Sequence, residues 1–337
     1  MIVLKHKLSI ALGILFAIFF LWYALRETNF SDIGAALIQA NYWYALPFII
    51  IYILYFIAKA IRWSLLLKPI RRISLQEALP ATVIGYMGNL FFPAYLGEFG
   101  RAYILSKQLK INYSSVLASI FLERIWDIIT LLAFVGIVLV LEEQLPEELT
   151  QAGYFISIAA IILITFVVIY TCWTKQLLKL IKPALFFLSI NLQNKILIQL
   201  EKASSGLQSI KQPKLLFNIA LSSILHWGLI GFCLYISLLA FNIQVPFSAA
   251  FIVLVLIVAG MTLPNTPGFF GTIQLCFVLG LQPYNVSADI AFAASIFYHL
   301  TMYIFTLLIG FYYFHKIGMS LSQIREESVA TNKPLDP

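Results

Sequence analysis

Long apolar runs separated by short polar segments dominate the chain from end to end. Six of these runs are close to 20 residues or longer, the length that an α-helix needs to cross about 30 Å of hydrocarbon. The pattern therefore predicts membrane-spanning helices rather than a β-barrel. The predicted full spans lie near 8–25, 42–67, 115–141, 154–173, 215–241 and 288–314.

Two further apolar regions do not fit as single spans, because glycine and proline interrupt them. In residues 76–106 the interruptions are Pro80, Gly85, Gly88, Pro93, Gly97 and Gly100. In residues 248–281 they are Gly260, Pro264, Pro267, Gly268 and Gly271. Two interpretations stay open: re-entrant or broken helical hairpins, or ordinary pairs of kinked helices. In either case, non-helical backbone at membrane depth must face protein or water, since lipid cannot satisfy its polar groups.

The distribution of basic residues predicts the orientation, because cytoplasmic loops carry an excess of Lys and Arg. Of the 22 Lys and Arg residues, 18 lie in the N-terminus, the three segments 68–73, 101–110 and 174–214, and the C-terminal tail. The predicted outer loops are acidic instead, as in "EEQLPEE" at 142–148. We therefore expect a multi-pass protein of the cell (inner) membrane with both termini in the cytoplasm.

This orientation predicts an internal repeat. Both ends of the first interrupted region fall inside and both ends of the second fall outside, so each is best interpreted as a hairpin that returns to its own side. The chain then divides into halves, 1–150 and 151–314, that share the order span, span, hairpin, span, and a cytoplasmic tail at 315–337. Each half crosses an odd number of times, so the second is inverted. Paired interrupted segments at corresponding positions are typical of a transporter's central site.

Composition agrees with a membrane protein and argues against other classes. Of the 337 residues, 61% are hydrophobic and 11% are charged, and the mean hydropathy is +0.91, whereas soluble domains have about 25% charged residues. The net charge of +7 follows the loop pattern, so we expect no nucleic-acid partner. The three cysteines lie in apolar runs without metal-type spacing, so we expect no metal and no cofactor.

Charged residues inside spans usually face a bundle interior or an aqueous cavity, because burial in lipid is costly. Glu123 and Asp127 stand at i and i+4 on one helix face, with Arg124 beside them. This group fits either a functional site or a structural network. Lys59 and Arg62 lie near the inner end of the second span, so we expect their side chains to snorkel toward the membrane surface.

The first hairpin carries the stretch "GNLFFPAYLGEFGR" at 88–101. Pro93 and Gly97 allow a sharp turn there, and a helix that restarts near Tyr95 places Glu98 and Arg101 on one face near its N-terminus. The free N–H groups at that helix end and the guanidinium fork of Arg101 could bind the phosphate oxygens of an anionic headgroup. The alternative is that the two charges pair with each other at the cytoplasmic surface.

The second hairpin carries "LPNTPGFFGTIQL" at 263–275 and supplies the uncharged polar residues Asn265, Thr266 and Gln274. His299 in the last span could face the same cavity as these polar residues of the second hairpin. A lone histidine in a membrane span is more often a structural hydrogen-bonding residue than a functional one.

Three motifs in order resemble the flippase-like transmembrane region of lysylphosphatidylglycerol synthases, from about residue 10 to residue 314. The family's first hairpin is matched by Asn89, Pro93, Gly97, Glu98 and Arg101. Its "ER..D" helix is matched by Glu123, Arg124 and Asp127. Its "P..PGG.G" hairpin is matched by Pro264, Pro267, Gly268 and Gly271. The chain departs from the pattern at Phe269, which replaces the second glycine, and at Gln274, where a glutamate is common.

The resemblance implies movement of a lipid between leaflets, with the two hairpins meeting near the middle of the membrane. In the full synthases a soluble aminoacyl transferase domain follows the membrane region. Only 23 residues follow Phe314 here, so we expect no synthesis of aminoacyl lipid by this chain. The candidate substrate-binding residues are Asn89, Pro93, Gly97, Glu98, Arg101, Glu123, Arg124, Asp127, Asn265, Pro267, Gly268, Gly271 and Gln274.

The leading hypothesis is a lipid translocase, not an enzyme, that moves an anionic phospholipid or a polyprenyl-linked lipid. One alternative is a membrane-embedded transferase in which Glu98, Glu123 or Asp127 acts as a base or metal ligand. Another is an accessory subunit that assists an enzyme of lipid or envelope-glycan synthesis.

For the fold, the spans, the interrupted regions and the orientation together predict an all-α polytopic membrane protein with six full spans and two hairpins arranged as an inverted repeat.

Overall fold

A computed structural model describes residues 15–92, 95–141, 147–172, 174–186, 189–190, 192–193, 212–261 and 267–318. All regular structure within these ranges is helical, which confirms the predicted all-α class. The helices are α1 (Leu15–Leu25), α2 (Phe30–Gln39), α3 (Ala45–Leu67), α4 (Leu75–Phe91), α5 (Leu96–Leu109), α6 (Tyr113–Leu141), α7 (Glu147–Cys172), α8 (Thr174–Ala184), α9 (Pro213–Ala240), α10 (Phe247–Met261), α11 (Thr272–Leu281) and α12 (Ala288–Ile317). Short 3₁₀ turns occupy Tyr42–Tyr44, Pro267–Phe269 and Gln282–Tyr284.

Three helical segments of the described residues are long and apolar enough to cross a membrane. They are Tyr42–Leu67, Lys214–Ala240 and Ala288–Ile317, and they confirm three of the predicted spans. The predicted spans 115–141 and 154–173 correspond to the helices α6 and α7, which have 29 and 26 residues. The described part of the first predicted span is α1.

The three apolar spans pack together and form the main core. Helix α3 lies against α9 along much of its length. The side chains of Phe48, Tyr52 and Phe56 from α3 are buried in this core. The Tyr52 hydroxyl is 2.9 Å from the Thr306 hydroxyl on α12, which satisfies two polar groups that lipid could not. The core therefore fixes α3, whose C-terminal half carries Lys59 and Arg62.

The first interrupted region forms two helices, α4 and α5, that pack against each other as a hairpin. Pro80, Gly85, Gly88 and Gly100 lie inside these helices, so among the described residues of this region only Phe92 and Tyr95 are non-helical. Pro93 lies outside the described residues. Tyr95, at the start of α5, has a left-handed backbone with φ 55°. The predicted break near Pro93 to Gly97 is thus confirmed, whereas the other interruptions do not break a helix.

The two helices of this hairpin cross at very close range because glycines line the contact. A Cβ atom added at Gly88 would lie 2.9 Å from the Gly97 Cα, and one added at Gly85 would lie 2.7 Å from the Arg101 Cβ. A larger residue at either position would force α5 away from α4. Glycine therefore places the Arg101 side chain directly against the α4 backbone.

The second interrupted region forms α10, a turn and α11. Three residues of the turn have a positive φ: Gly268 (φ 78°), Phe269 (φ 62°) and Gly271 (φ 85°). Phe269 is the residue that replaces a glycine of the motif, and it keeps the backbone conformation that glycine favours. Pro264, Asn265 and Thr266 lie outside the described residues.

The two hairpins touch at their tips. The Tyr95 hydroxyl donates a hydrogen bond of 3.0 Å to the Met261 carbonyl oxygen at the end of α10. The ring centroids of Tyr95 and Phe269 are 5.9 Å apart. The predicted meeting of the hairpins is therefore present as a direct contact, whereas its depth in the membrane and the side from which each hairpin enters stay predictions.

Candidate functional site: a buried ionic cluster

The centre of the candidate site is Glu123 on α6, a fully buried carboxylate with three cations within 3.1 Å and Arg124 at 4.0 Å. Its Oε1 lies 3.1 Å from Lys59 Nζ and 2.9 Å from Arg62 Nη2, and its Oε2 lies 2.8 Å from Arg101 Nη2. Asp127, one turn further along the same face, lies 2.6 Å from Arg62 Nη1. The predicted shared face of Glu123 and Asp127 is thus the face that binds cations.

The expectation that Lys59 and Arg62 snorkel to the surface is wrong. Arg62 is fully buried and Lys59 is 5% exposed, because the carboxylates of α6 compensate both charges within the bundle. Attraction to a carboxylate at short distance offsets part of the cost of taking a cation out of water. Their position near the inner end of the span suggested snorkelling, whereas their spacing at i and i+3 on one face was the signal for a shared partner.

Helix α5 contributes the predicted pair Glu98 and Arg101. Arg101 Nε donates to Glu98 Oε2 at 2.6 Å, and its guanidinium lies 4.6 Å from the centre of the Trp63 ring. Glu98 Oε1 also accepts from Arg124 Nη2 at 2.9 Å and from Asn89 Nδ2 at 3.4 Å. The pair is therefore not an isolated surface ion pair but part of a larger network.

Helix α9 contributes uncharged partners that the sequence analysis missed. Trp227 Nε1 donates to Asp127 Oδ1 at 3.0 Å, and Arg62 Nη1 donates to Ser223 Oγ at 3.4 Å. His226 lies between them in sequence, and its Nδ1 is 3.1 Å from the Ser223 carbonyl oxygen. The sequence pattern that could have identified these partners is Ser223, His226 and Trp227 at i, i+3 and i+4, three residues with hydrogen-bonding side chains in a largely apolar helix.

Seven charged side chains thus form what we call the ionic cluster. Its members are Lys59, Arg62, Glu98, Arg101, Glu123, Arg124 and Asp127. Four are cations and three are carboxylates, so the cluster carries one excess positive charge when every group is ionised. The Arg124 side chain is 40% exposed, whereas the other six are at most 12% exposed. Arg124 is therefore the most exposed member of the cluster.

Some buried polar atoms of the cluster and of the neighbouring Asn89 have no hydrogen-bond partner among the described residues. Arg62 Nε and Arg101 Nη1 are buried without a hydrogen-bond partner among the described residues, and so are Asn89 Oδ1 and Asp127 Oδ2. Asp127 Oδ2 still lies 3.1 Å from Arg124 Nη1, although without hydrogen-bond geometry. A buried guanidinium N–H without an acceptor is costly, so the cluster is incompletely satisfied as it stands.

The candidate residues of the second hairpin form a separate network around His299. Gln274 Oε1 accepts from the Gly271 N–H at 2.8 Å, and Gln274 Nε2 is 3.1 Å from His299 Nδ1. His299 Nε2 is 2.7 Å from the Gly268 carbonyl oxygen. The amide of Gln274 is thus engaged at both ends, and His299 acts as a structural hydrogen-bonding residue, as its sequence context favoured. The backbone of Pro267 opens the 3₁₀ turn, and Asn265 lies outside the described residues.

The described residues offer no group of three or more His, Cys, Asp or Glu side chains arranged to hold a metal ion. The three carboxylates of the ionic cluster are instead engaged by Lys and Arg. What this arrangement can do chemically is to receive an additional anion next to Arg124.

Comparison with known proteins identifies the family. The family model of the lysylphosphatidylglycerol synthase TM region matches residues 10–310. The chain belongs to this family. The resemblance seen in the three motifs is therefore confirmed, and with it the nature of the chain as a multi-pass membrane protein. No solved structure matches the chain.

Two curated proteins are similar to this member of the synthase TM-region family. The UPF0104 membrane protein MJ1078 of Methanocaldococcus jannaschii is 26% identical over 242 residues, which cover 69% of this chain and 95% of that protein. The glycosyltransferase AglD of Haloferax volcanii is 27% identical over 138 residues, which cover 41% of this chain and 22% of AglD. The second similarity thus concerns only a small part of that glycosyltransferase.

Proposed function

We propose that the chain is a lipid translocase that moves a lipid with an anionic headgroup, either a phospholipid or a polyprenyl-linked lipid, between the leaflets of the cell membrane. The observation that carries this proposal is the excess positive charge of the ionic cluster together with the exposure of Arg124. A headgroup that enters beside Arg124 would compensate that charge while the lipid tails stay in hydrocarbon. The proposal includes no catalytic step and no cofactor.

We infer different roles for the two arginines nearest Glu98. From the sequence, Arg101 is the candidate phosphate ligand, but its side chain is 1% exposed and held by Glu98, Glu123 and Trp63. Arg101 therefore positions the two carboxylates. Arg124 has the exposure that a ligand contact needs, and its planar fork matches two phosphate oxygens.

The finer topology belongs to the same proposal. We infer that the halves 1–150 and 151–314 are inverted relative to each other and that the hairpins enter from opposite sides, with both termini in the cytoplasm. Exposed positions for single cysteines in a cysteine-free background are Arg72 and Lys110 beside the first hairpin, and Gln244 and Asn285 beside the second. An impermeant thiol reagent should label the first pair from inside and the second from outside. Labelling of Lys110→Cys from outside would rule out the inverted repeat.

The transport role is tested with Arg124 in a reconstituted flipping assay. Arg124→Gln should slow movement of an anionic lipid by about tenfold or more, since one lost charge-assisted hydrogen bond is worth roughly 1.5–3 kcal/mol. Arg124→Lys keeps the charge but loses the fork, so it should retain part of the rate.

A matched control is Arg26→Gln. The Arg26 side chain is 41% exposed and pairs with Glu27 at 2.9 Å, so it resembles Arg124 in exposure and pairing but lies outside the cluster. The Arg26→Gln variant should move anionic lipid at the rate of the unmodified protein. Thermal unfolding in detergent shows whether each variant is folded. A folded Arg124→Gln protein that moves anionic lipid at the unmodified rate would contradict the proposal.

A second candidate function rests on the similarity to part of a glycosyltransferase. The chain would then assist, or itself perform, a transfer step in lipid or envelope-glycan synthesis, with a synthetic enzyme as its partner. Purified protein given a lipid-linked sugar donor would form product if it were a transferase. Lipid movement that needs an added partner protein would instead favour the accessory role.

A further inference from the structure

We infer that the ionic cluster selects a headgroup with a single negative charge on a phosphodiester, in preference to a diphosphate or a zwitterionic headgroup. This inference rests on the proposed function and narrows its substrate class. The distinguishing observation is the charge balance of four cations against three carboxylates in a cluster of which six members are nearly or fully buried.

Charge balance matters here because the surroundings are poor in water. An uncompensated ion inside a protein costs several kcal/mol even after the structure relaxes. One bound negative charge brings the cluster to neutrality. A diphosphate brings at least two negative charges and reverses the imbalance. A zwitterionic headgroup brings one negative and one positive charge, so the original excess remains.

The donor geometry agrees with the charge count. A phosphodiester spreads one negative charge over two non-bridging oxygens, which are acceptors only. The Arg124 guanidinium offers paired N–H donors to such a group. One acceptor-only monoanion beside Arg124 therefore supplies the negative charge that the cluster lacks and acceptors for the exposed guanidinium.

Lys107 and His226, two titratable residues on α5 and α9, do not change this charge balance. Lys107 on α5 lies 5.5 Å over the Tyr103 ring, two turns away from Glu98 and on the exposed part of the helix. His226 is the titratable residue of α9 beside the cluster, and it is a donor from Nδ1 to a backbone oxygen, which is compatible with a neutral ring. The cluster thus keeps its single excess charge.

The experiment compares four labelled lipids in reconstituted vesicles: phosphatidylglycerol, a polyprenyl phosphodiester, a polyprenyl diphosphate and phosphatidylcholine. The unmodified protein should move the two phosphodiester monoanions at least about tenfold faster than the other two. Glu98→Gln and Asp127→Asn each raise the excess charge to two. Either variant should shift the ratio of diphosphate to phosphodiester rates upward by about tenfold, whereas Glu27→Gln should leave that ratio unchanged.

A measurement on the unmodified protein guards against variants that fail to fold. Short-chain forms of the same lipids, added in detergent, should raise the unfolding temperature more when they carry the phosphodiester monoanion. Dimethyl phosphate and inorganic phosphate form the arm that tests a free anion as the ligand. Stabilisation by these soluble anions equal to that by the lipids would assign the site to a free anion.

The outcomes separate the inference from the proposed function. If no lipid moves and none stabilises the protein, both are wrong. If lipids move at rates that do not depend on headgroup charge, lipid translocation stands without its preference for anionic headgroups, and the charge-selection inference is overturned. A preference for the diphosphate in the unmodified protein would also overturn it.

Discussion

Replacement of Glu123 by alanine should lower the free energy of unfolding by about 3–5 kcal/mol, the range for removing one partner of a buried ion pair. Glu123 is fully buried and contacts Lys59, Arg62 and Arg101 within 3.1 Å. Its loss leaves four buried or half-buried cations with two carboxylates. The large effect follows from this uncompensated charge rather than from lost packing volume.

The measurement is the unfolding midpoint in detergent or in lipid, with Glu27→Ala as the matched control. Glu27 also pairs with an arginine, Arg26, but its side chain is 67% exposed, and exposed pairs contribute little to stability. The control should shift the free energy of unfolding by no more than about 0.5 kcal/mol. Equal stability of the two variants would mean that the ionic cluster does not hold α3, α5 and α6 together.

The second large effect is expected from Gly97→Ala. A Cβ atom at Gly97 would overlap the Gly85 carbonyl oxygen and lie 2.7 Å from the Asn89 backbone nitrogen. These are backbone atoms, which cannot move aside as a flexible side chain can. We expect a loss of about 3 kcal/mol or more in the free energy of unfolding, at the upper end for overpacking.

Gly100→Ala provides the control within the same helix, three residues further along α5. Nothing lies within 4 Å of the Cβ that this change would add. Alanine is favoured over glycine inside a helix by about 0.8–1 kcal/mol, so Gly100→Ala should leave stability unchanged or raise it. The opposite signs of the two changes are read from thermal unfolding curves. A Gly97→Ala protein as stable as Gly100→Ala would show that α4 and α5 do not approach closely.

Much of the fold could be predicted from sequence because membrane spans obey simple rules of length and hydropathy. Repeated apolar runs gave the spans, and Pro and Gly marked the breaks at the hairpin tips. The face shared by Glu123 and Asp127 followed from helix periodicity alone. Pro80 and the glycines within α4 and α5 were less informative, because a helix can continue through them when neighbouring helices pack against it.

The composition of the site was harder to predict, because partners that lie far apart in the sequence decide it. Arg62 meets a carboxylate 65 positions away, and Trp227 donates to the same carboxylate from 100 positions away. Trp227 and Ser223 carry no charge, so hydropathy alone does not separate them from lipid-facing residues. The different roles of Arg101 and Arg124 depend on which side chain the glycine-lined α4–α5 contact covers, and that contact is a property of the assembled bundle.

The distance in sequence between the cations of α3 and the carboxylates of α6 has a consequence for biosynthesis. At about 5–20 residues per second, the 65 residues between Arg62 and Asp127 take roughly 3–13 s to be made. During that interval α3 holds two cations in its C-terminal half without their partners. Side chains of this length can reach the membrane surface from such a position. Snorkelling is wrong for the folded protein, but we expect it in the nascent α3 until α6 supplies the carboxylates that hold both cations inside the bundle.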